Sequence, residues 1–357
     1  MTFVFYISGH GFGHASREIE VINTIAARCP DARFIIRTAA PRWLFDLTAR
    51  ATIDVQPLEA DTGVAQIDSL RLDEDETARQ AAAFYRDFTR RVDAESAFLR
   101  GTHAAVVVGD IPPLAFAAAA RAGVPSIAIG NFTWDWIYGG YPTFDKAAPG
   151  VIDVIRDAYG QATRALRLPM HGGFESMASV TRDIPFIARR SVRDRAKTRR
   201  VLGAMDGRPL VLASFGGYGL QLPYDLIAQS GRLTLIAPPR EPQRGLLYQD
   251  LVAAADVVVS KPGYGIISEC VANNTALLYT SRGHFVEYDV LVAAMPLVLR
   301  CRYIPQEDLL AGRLDDAVDA LLQQPPPPEH PRIDGAEVAA DEVLRLLTPR
   351  TLWQPAG

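Results

Sequence analysis

Short apolar runs alternate with helical patterns along the first half of the chain, and the same alternation starts again in the second half. The longest predicted helix covers residues 74–100. The strands predicted in the two halves are residues 3–8, 33–37, 104–108, 126–129, 210–214, 233–236, 256–260 and 276–279. Strands separated by helices are typical of a parallel sheet covered on both faces. The sequence therefore predicts an α/β protein with two doubly wound parallel sheets.

A segment rich in proline and glycine, residues 168–190, separates the two halves, and we place the linker there. We expect an N-terminal domain over residues 1–168, a C-terminal domain over residues 185–330, and a tail over residues 331–357 whose helix could pack back on the first domain. Ligands of such sheets bind beyond the carboxyl ends of the strands. The cleft between the two domains is therefore the expected binding site.

The composition argues against several classes of protein. The formal net charge of the 357 residues is -4, so no broad basic surface for nucleic acid is expected. The three cysteines are too few and too far apart for a disulfide framework or a zinc site. A membrane span needs about 20 uninterrupted apolar residues, and no stretch of this sequence has them. We expect a cytoplasmic protein without a membrane span, and self-association into a homo-oligomer stays open.

The loop after the first strand has the sequence GHGFGH. Gly11 and Gly13 permit close approach of a ligand, and the helix that follows offers free backbone N–H groups. The glycine spacing differs from the dinucleotide-binding pattern G-x-G-x-x-G, which argues against a dehydrogenase. His10 and His14 are predicted at the mouth of the cleft, where a neutral imidazole can act as a general base. A capping or buried histidine is the alternative interpretation.

Two glycine loops of the second half, ASFGGYG and SKPGYGIISE, each follow a predicted strand. Their backbone N–H groups, together with a helix N-terminus, are suited to a diphosphate. A lysine adds positive charge, and a glutamate could accept hydrogen bonds from ribose hydroxyls. Each loop alone is compatible with a simple tight turn, but the two together favour a nucleotide diphosphate. The candidate residues are Ser214, Gly216, Gly217, Lys261, Gly263, Tyr264, Gly265 and Glu269.

The loop TSRGHFVEYD follows the next strand of the same half. Arg282 and His284 could contact phosphate, and Glu287 could hold hydroxyl groups of a sugar. A polar surface loop without a ligand is the alternative.

The segment NFTWDWIY follows a strand of the first half and combines aromatic rings with polar groups. It could form a platform for an acceptor molecule through Asn131, Trp134, Asp135 and Tyr138, whereas core packing is the competing explanation for the rings. Asp110 follows another strand of this half. It could orient His14, act as the base itself, or cap the next helix.

Three stretches, GHGFGHASR, VVGDIPPLAFAAAARAGVPSIAIGNFTWDWIY and KPGYGIISE, resemble the glycosyltransferase-like N-terminal region of plant L-arabinokinases and of related bacterial proteins. More distantly, nearly the whole chain resembles GT-B glycosyltransferases. The resemblance implies two Rossmann-like domains that face each other across a cleft, an acceptor-binding N-terminal half and a donor-binding C-terminal half. The implied donor is a UDP- or dTDP-sugar, used without a cofactor or an essential metal.

The resemblance also implies residue roles. The glycines of the second-half loops would lie along the donor diphosphate, Glu269 would contact the ribose, Glu287 would contact the sugar, and His14 would be the base. Gly11 and Gly13 of the first-half loop are also expected to contact the donor. The sugar-kinase region of arabinokinases has no counterpart in these residues, so arabinokinase activity is not expected.

The leading hypothesis is a metal-independent, inverting glycosyltransferase that transfers a sugar from a nucleotide-diphosphate sugar to a hydroxyl or another nucleophile. A nucleotide-sugar epimerase or hydrolase of the same fold and a non-catalytic nucleotide-sugar-binding module are the alternatives. The sequence identifies neither the sugar nor the acceptor.

Overall fold

The computed structural model describes residues 1–204, 207–216, 219–238 and 245–347. In the first half, the described strands form one parallel sheet in the spatial order β3-β2-β1-β4-β5-β6-β7. These strands are β1 (Thr2–Ile7), β2 (Arg33–Thr38), β3 (Ile53–Pro57), β4 (Ala104–Asp110), β5 (Ser126–Phe132), β6 (Arg164–Gly172) and β7 (Thr181–Asp183).

Helices cover both faces of this first sheet. Its core unites the strand residues Phe3, Phe5 and Ile7 with Ile19 and Ile22 of the first helix, and each fully buried side chain of this size contributes about 1.5–3 kcal/mol. The helices of this half are α1 (Phe12–Arg28), α2 (Arg42–Thr48), α3 (Glu74–Arg86), α4 (Phe88–Gly101), α5 (Pro113–Ala122), α6 (Trp134–Gly139), α7 (Phe144–Ala147) and α8 (Val151–Tyr159), followed by a 3-10 turn over Glu175–Val180.

The second half contains a smaller parallel sheet with its own core. Within the described residues its strands are ordered β12-β11-β10-β8-β9, and they are β8 (Leu210–Ala213), β9 (Thr234–Ile236), β10 (Val257–Ser260), β11 (Ala276–Tyr279) and β12 (Cys301–Tyr303). The remaining helices are α9 (Arg195–Leu202), α10 (Tyr224–Gln229), α11 (Tyr248–Ala254), α12 (Tyr264–Asn273), α13 (Glu287–Val298), α14 (Gln306–Leu310), α15 (Asp315–Leu322) and α16 (Gly335–Arg345).

Two sequence-based expectations differ from this architecture. The single helix predicted over residues 74–100 is two helices, which meet at Asp87 with φ -101° and ψ 14°. The first sheet also extends beyond the predicted boundary at residue 168, because β6 continues to Gly172 and β7 pairs in parallel with β6. Gly172 and Gly173 therefore lie within the first half, whereas Pro185 belongs to the passage to the second half, which begins after Asp183.

The chain passes between the halves twice, and the two passages lie side by side. The N–H of Phe186 donates to the carbonyl of Arg332, and the carbonyl of Phe186 accepts from the N–H of Gly335. After this crossing, α16 packs on the first half, where Ala339 and Val343 join the core beneath α1. The buried carboxylate of Glu342 on α16 accepts from Arg182 of β7 at 2.6 Å and pairs also with Arg164 of β6.

Candidate active site

A buried group of three charged or titratable side chains lies at the carboxyl ends of the central strands of the first sheet. His14 and Arg17 lie in the first turns of α1, and Asp110 ends the adjacent strand β4. The Nδ1 of His14 is 2.8 Å from Oδ1 of Asp110. The guanidinium of Arg17 donates to both oxygens of Asp110, each at 2.5 Å. Exposed fractions of 8%, 5% and 0% for His14, Arg17 and Asp110 show that this group is nearly closed to solvent.

The protonation state of Asp110 fixes the tautomer of His14. Burial alone would raise the pKa of Asp110, but Arg17 and His14 outweigh it and hold that pKa below its usual range. An ionised carboxylate only accepts hydrogen bonds, so the 2.8 Å contact favours a proton on Nδ1 of His14, although Nη2 of Arg17, which is also a donor, lies 3.0 Å from the same nitrogen. Nε2 is then the unprotonated nitrogen and is available to take a proton.

The same geometry argues against Asp110 as the base. Its two oxygens already accept from the Arg17 guanidinium and from His14, and the residue has no exposed surface. A base must reach the proton that it removes. Asp110 therefore suits the orientation of His14 and the stabilisation of an imidazolium, and it does not cap α5, whose N-cap is Pro112.

A chain of polar contacts leads from this group across to the second half. Arg17 Nη1 donates to Oδ1 of Asn131 at 3.0 Å, and Nδ2 of Asn131 donates to Oε1 of Glu287 at 2.5 Å. Glu287 begins α13 of the second half and lies 3.9 Å from the Arg282 guanidinium. Asn131 and Glu287, predicted on the acceptor and donor sides, are thus joined directly to each other in this structure.

Glu18, which the sequence analysis did not single out, lies one helical turn after His14. It has no exposed surface, and neither carboxyl oxygen has a hydrogen-bond donor. Burial and the nearby Asp110 raise the pKa of Glu18 well above its usual range. A neutral carboxyl group at this position avoids a second buried negative charge beside Asp110.

A second histidine–carboxylate pair joins the predicted His10 to Asp61, which the sequence analysis did not single out. His10 Nε2 is 3.7 Å from Oδ1 of Asp61, and the His10 side chain is 37% exposed. Asp61 is held by Trp134 Nε1, which donates at 2.8 Å, and by the Ser8 hydroxyl at 3.1 Å. The His10 ring lies directly over Gly63, where a Cβ would fall about 2.0 Å from the ring. His10 is therefore the more accessible of the two histidines.

The N-termini of α1 and α12 meet at two glycines. The position of a Cβ on Gly265 would lie 3.1 Å from the Cα of Gly13, so a side chain at Gly265 would crowd this contact. Gly11 takes a positive φ of 92° before α1, and Gly263 is the extended residue before α12. Both helices direct free N–H groups and the positive ends of their dipoles into this region.

Two partly buried cations of the second half, Lys261 and Arg282, lie beside the start of α12. Burial, together with the nearby Arg282 guanidinium, lowers the pKa of Lys261 to about 8. Burial also lowers the pKa of Arg282, whose Nη1 donates to the carbonyl of Pro262 at 3.0 Å. The Lys261 ammonium donates to Oε1 of Gln66, in the first half, at 3.3 Å. The direct hydrogen-bond partners of both cations are thus neutral oxygens, while the carboxylates of Asp68 and Glu287 act on them electrostatically.

Other predicted donor residues have different surroundings from those expected. The backbone N–H of Ser214 donates to Val259, and its hydroxyl is 2.7 Å from the Tyr248 hydroxyl, so that N–H is not free for phosphate. His284 is largely exposed and contacts Glu74 of α3 at 2.8 Å. The prediction that Ser214 presents a free N–H is wrong for this structure, whereas a phosphate contact of His284 stays a prediction. Gly216 is exposed with φ 72°, and Gly217 lies outside the described residues.

Glu269 and Tyr264 on α12 are buried rather than open to a ligand. Oε1 of Glu269 accepts from Arg189 Nε at 2.7 Å and lies 2.5 Å from its Nη2, while Oε2 has no partner. Burial raises the pKa of Glu269, and Arg189 partly offsets that effect. The Tyr264 ring lies beneath Arg17, 5.2 Å from its guanidinium carbon. A ribose contact of Glu269 stays a prediction, and it requires Oε2 to become accessible.

The aromatic residues predicted to form an open acceptor platform are part of the core. Trp134 is 2% exposed and Tyr138 is fully buried, with ring centroids 5.5 Å apart in a stacked pair. Asp135 is also buried, and its Oδ2 accepts from the Ser176 hydroxyl at 3.3 Å. Core packing around α6 and α8, the competing explanation, therefore accounts for the positions of these rings, and a contact of these residues with an acceptor stays a prediction.

Two negative findings concern only the described part of the chain. No group of three or more His, Cys, Asp or Glu side chains is arranged there to hold a metal ion. The helices found there also include none with the length and apolar character needed to cross a bilayer. The acidic run at residues 73–75 begins α3, where Asp73 accepts a hydrogen bond from the N–H of Glu76.

Comparison with known proteins agrees with the motif resemblance. No protein-family model matches the sequence. The chain is 28% identical over 360 residues to L-arabinokinase from Arabidopsis thaliana, and the alignment covers 95% of this chain and 34% of the plant protein. It thus spans about a third of the length of this relative, and the resemblance to plant arabinokinases is confirmed at that level.

Solved structures of similar fold match almost the whole chain. CalG4, the calicheamicin glycosyltransferase, has a TM-score of 0.64 at 16% identity and covers 98% of this chain and 99% of its own. UGT2 from Phytolacca americana, complexed with UDP-2fluoro-glucose and pterostilbene, has a TM-score of 0.58 at 12% identity over 97% and 94%. A UDP-N-acetylglucosamine 2-epimerase assigned in Listeria monocytogenes reaches 0.56 at 12% over 96% and 94%. The chain has the GT-B fold that the sequence predicts.

Proposed function

We propose that this protein is an inverting glycosyltransferase that transfers a sugar from a nucleotide-diphosphate sugar to an acceptor. One observation carries the proposal. A histidine whose Nδ1 contacts Asp110 lies in the first turn of one helix, and that helix meets the start of α12 beside two partly buried cations. A base and an anion site are therefore brought together from opposite halves of a GT-B fold.

The reaction follows from these positions. Nε2 of His14 accepts the proton of the acceptor group as its oxygen, or another nucleophile, bonds to the anomeric carbon of the sugar. The bond between that carbon and the diphosphate oxygen breaks, and its electron pair remains on the diphosphate. The α12 N–H groups, Lys261 and Arg282 stabilise the charge that develops there. Asp110 stabilises the imidazolium of His14, and a single displacement inverts the anomeric configuration.

No step of this reaction assigns a role to a metal ion, because the two cations and the helix terminus supply the electrostatic stabilisation of the leaving group. The proposal therefore expects turnover to continue in a chelator. Loss of turnover with EDTA and its recovery with Mg²⁺ or Mn²⁺ would contradict this part of it.

A panel of UDP- and dTDP-sugars, incubated with and without hydroxyl acceptors, tests the activity. Nucleotide diphosphate released only with an acceptor, and a product of inverted anomeric configuration by NMR, support the proposal. Release of the sugar without an acceptor indicates a hydrolase. Isomerisation of the sugar without an acceptor indicates an epimerase, which is the activity named for the Listeria protein of similar fold. Saturable binding without any product indicates a binding module.

A further inference from the structure

Residues 64–73, which we call the strap, reach from the first half of the molecule to the second. The strap begins after the Asp61–Gly63 turn beside His10 and ends at Asp73, the N-cap of α3. Its two ends are bonded together, since the N–H of Asp73 donates to the carbonyl of Ala65 at 2.9 Å. The strap is thus a closed loop fixed to α3.

The tip of the strap, residues 67–71, is held by hydrogen bonds between its own residues. Oδ1 of Asp68 accepts from the N–H groups of Leu70 and Arg71 at 2.8 and 2.9 Å, and the N–H of Ile67 donates to the carbonyl of Arg71 at 3.0 Å. An aspartate that holds the N–H two residues ahead forms a compact turn. The shape of the tip therefore does not depend on its contacts with the second half.

The tip is seated in the second half. Leu70 is 6% exposed and belongs to the apolar core of that half, with Phe215 and Leu222. The Ser69 hydroxyl is 3.2 Å from the carbonyl of Phe215 and donates also to that of Gly219. Both carbonyls belong to the glycine loop predicted to contact the donor phosphate.

The strap touches the other two donor-side loops as well. Gln66 Oε1 accepts from Lys261. The carbonyl of Leu70 approaches Gly283 so closely that a Cβ there would lie 3.3 Å from it, and Gly283 has φ 73°. One segment of the first half therefore contacts the loops that follow β8, β10 and β11, each at the carboxyl end of its strand.

The space left between the strap and the cations is small. The cavity between the strap residues 66 and 68–72 and the side chains of Lys261, Arg282 and Phe285 has a volume of about 10 Å³, room for roughly one water molecule. Its lining includes the carboxylate of Asp68, whose negative charge raises the pKa of Lys261 and so opposes part of the effect of burial. A diphosphate at Lys261 needs more space and competes directly with the Gln66 amide oxygen. Binding of an anion there therefore requires that Gln66 leave Lys261.

We propose that the strap closes the donor-phosphate site and that Gln66 is a positioning residue whose amide oxygen holds Lys261 until a phosphate oxygen replaces it. This inference rests on the proposed function, because it takes the anion at Lys261 to be the donor diphosphate. The amide holds the partly buried ammonium in place without a negative charge of its own, so a phosphate displaces it at a modest cost.

The test compares UDP and dTDP affinities of the full chain by titration calorimetry for Gln66→Ala, Gln66→Glu and Lys261→Ala. We expect Gln66→Glu to weaken nucleotide binding about tenfold, because a carboxylate pairs with Lys261 and repels phosphate. Gln66→Ala removes the competitor and leaves affinity equal or up to about threefold stronger. Ile67→Gln is the matched control, since Ile67 lies on the same strap with 56% of its surface exposed, and it leaves affinity unchanged.

A double-mutant cycle distinguishes a failure of the proposed donor site at Lys261 from a failure of the role proposed for Gln66. In a Lys261→Ala background, Gln66→Glu no longer weakens UDP binding if the two side chains act through each other. If Lys261→Ala alone leaves UDP affinity unchanged, the proposed donor site is wrong and the strap assignment falls with it. If Lys261→Ala weakens binding while Gln66→Glu binds UDP like the wild type, the donor site stands and only the role of Gln66 is overturned.

Discussion

The two halves of the site differ in how their buried charges are compensated. On the first half, Asp110 is bound on both oxygens by Arg17 and His14, and Arg17 has a further partner in Asn131. On the second half, Lys261 contacts an amide oxygen and Arg282 a carbonyl, with the nearest carboxylate contact of Arg282 at 3.9 Å. The proposed base is thus already organised by its neighbours, whereas under the proposed function the donor diphosphate would supply the directly bound anion for the two cations.

The first prediction has the largest expected effect, and it compares a variant of the first half of the molecule with a variant of the second half. His14→Ala should lower turnover by about 10²- to 10⁴-fold, the usual contribution of a positioned base, and leave UDP affinity unchanged. Lys261→Ala should instead weaken UDP affinity. Steady-state kinetics and calorimetry on both variants check this split, and an equal loss of UDP affinity in His14→Ala would contradict the assignment of the base.

The second prediction concerns the contribution of Arg17, in the buried group of the first half, to the stability of the protein. Arg17→Ala leaves the buried carboxylate of Asp110 without its cationic partner and with only the hydrogen bond from His14, so we expect the free energy of unfolding to fall by about 3–5 kcal/mol. Arg28→Ala is the matched control on the same helix, because the Arg28–Asp341 pair is partly exposed and should contribute at most about 1 kcal/mol. Urea denaturation measures both. Similar losses for the two variants would show that the buried group is not a stabilising unit.

The third prediction uses the pKa of Lys261, which burial and Arg282 lower to about 8. Below that pH the side chain is an ammonium that binds phosphate, and above it the charge is lost. UDP affinity should therefore fall as pH rises through about 8, by about tenfold in total for one lost charge. Lys261→Arg keeps its charge at these pH values and should flatten the profile. A profile that is the same in both proteins would exclude Lys261 as the titrating group.

The fourth and smallest effect is expected at the contact between the two helix N-termini. Gly265→Ala places a methyl group about 3.1 Å from the Cα of Gly13, so the backbones must separate slightly. We expect a loss of about 1 kcal/mol in the free energy of unfolding, at the low end of overpacking effects. Thermal unfolding measures it. Gly101→Ala in α4 is the control, because the new methyl group has open space around it. Gly203→Ala would not serve, because its φ of 75° adds strain.

The architecture and part of the site follow from sequence patterns. Alternating strands and helices place the ends of β1 and β4 side by side, so a contact between His14 and Asp110 was accessible to the sequence analysis. Helical spacing offered a further signal for Arg17, three residues after His14 on the same helix. That signal was missed because an arginine on a helix is usually a surface residue.

Other features depend on contacts between distant segments and left no local pattern. The partnership of Asp61 with Trp134 joins residues 73 positions apart, and the burial of Trp134 results from how α6 packs on its neighbours. Leu70 belongs to a core more than a hundred residues further along the chain. Nothing in the sequence around residue 70 distinguishes such an anchor from an ordinary loop leucine.

The paired crossing between the halves has a mechanical consequence. Because the segments around Phe186 and Arg332–Gly335 are hydrogen-bonded to each other, the connection resembles a strip of two strands rather than a single flexible thread. Gly335 leaves no space there, since a Cβ would lie 2.2 Å from the carbonyl of Pro185. Such a strip bends more easily than it stretches or slides. Separation of the halves should therefore be a swing about this strip, with the widest opening at the rim farthest from it.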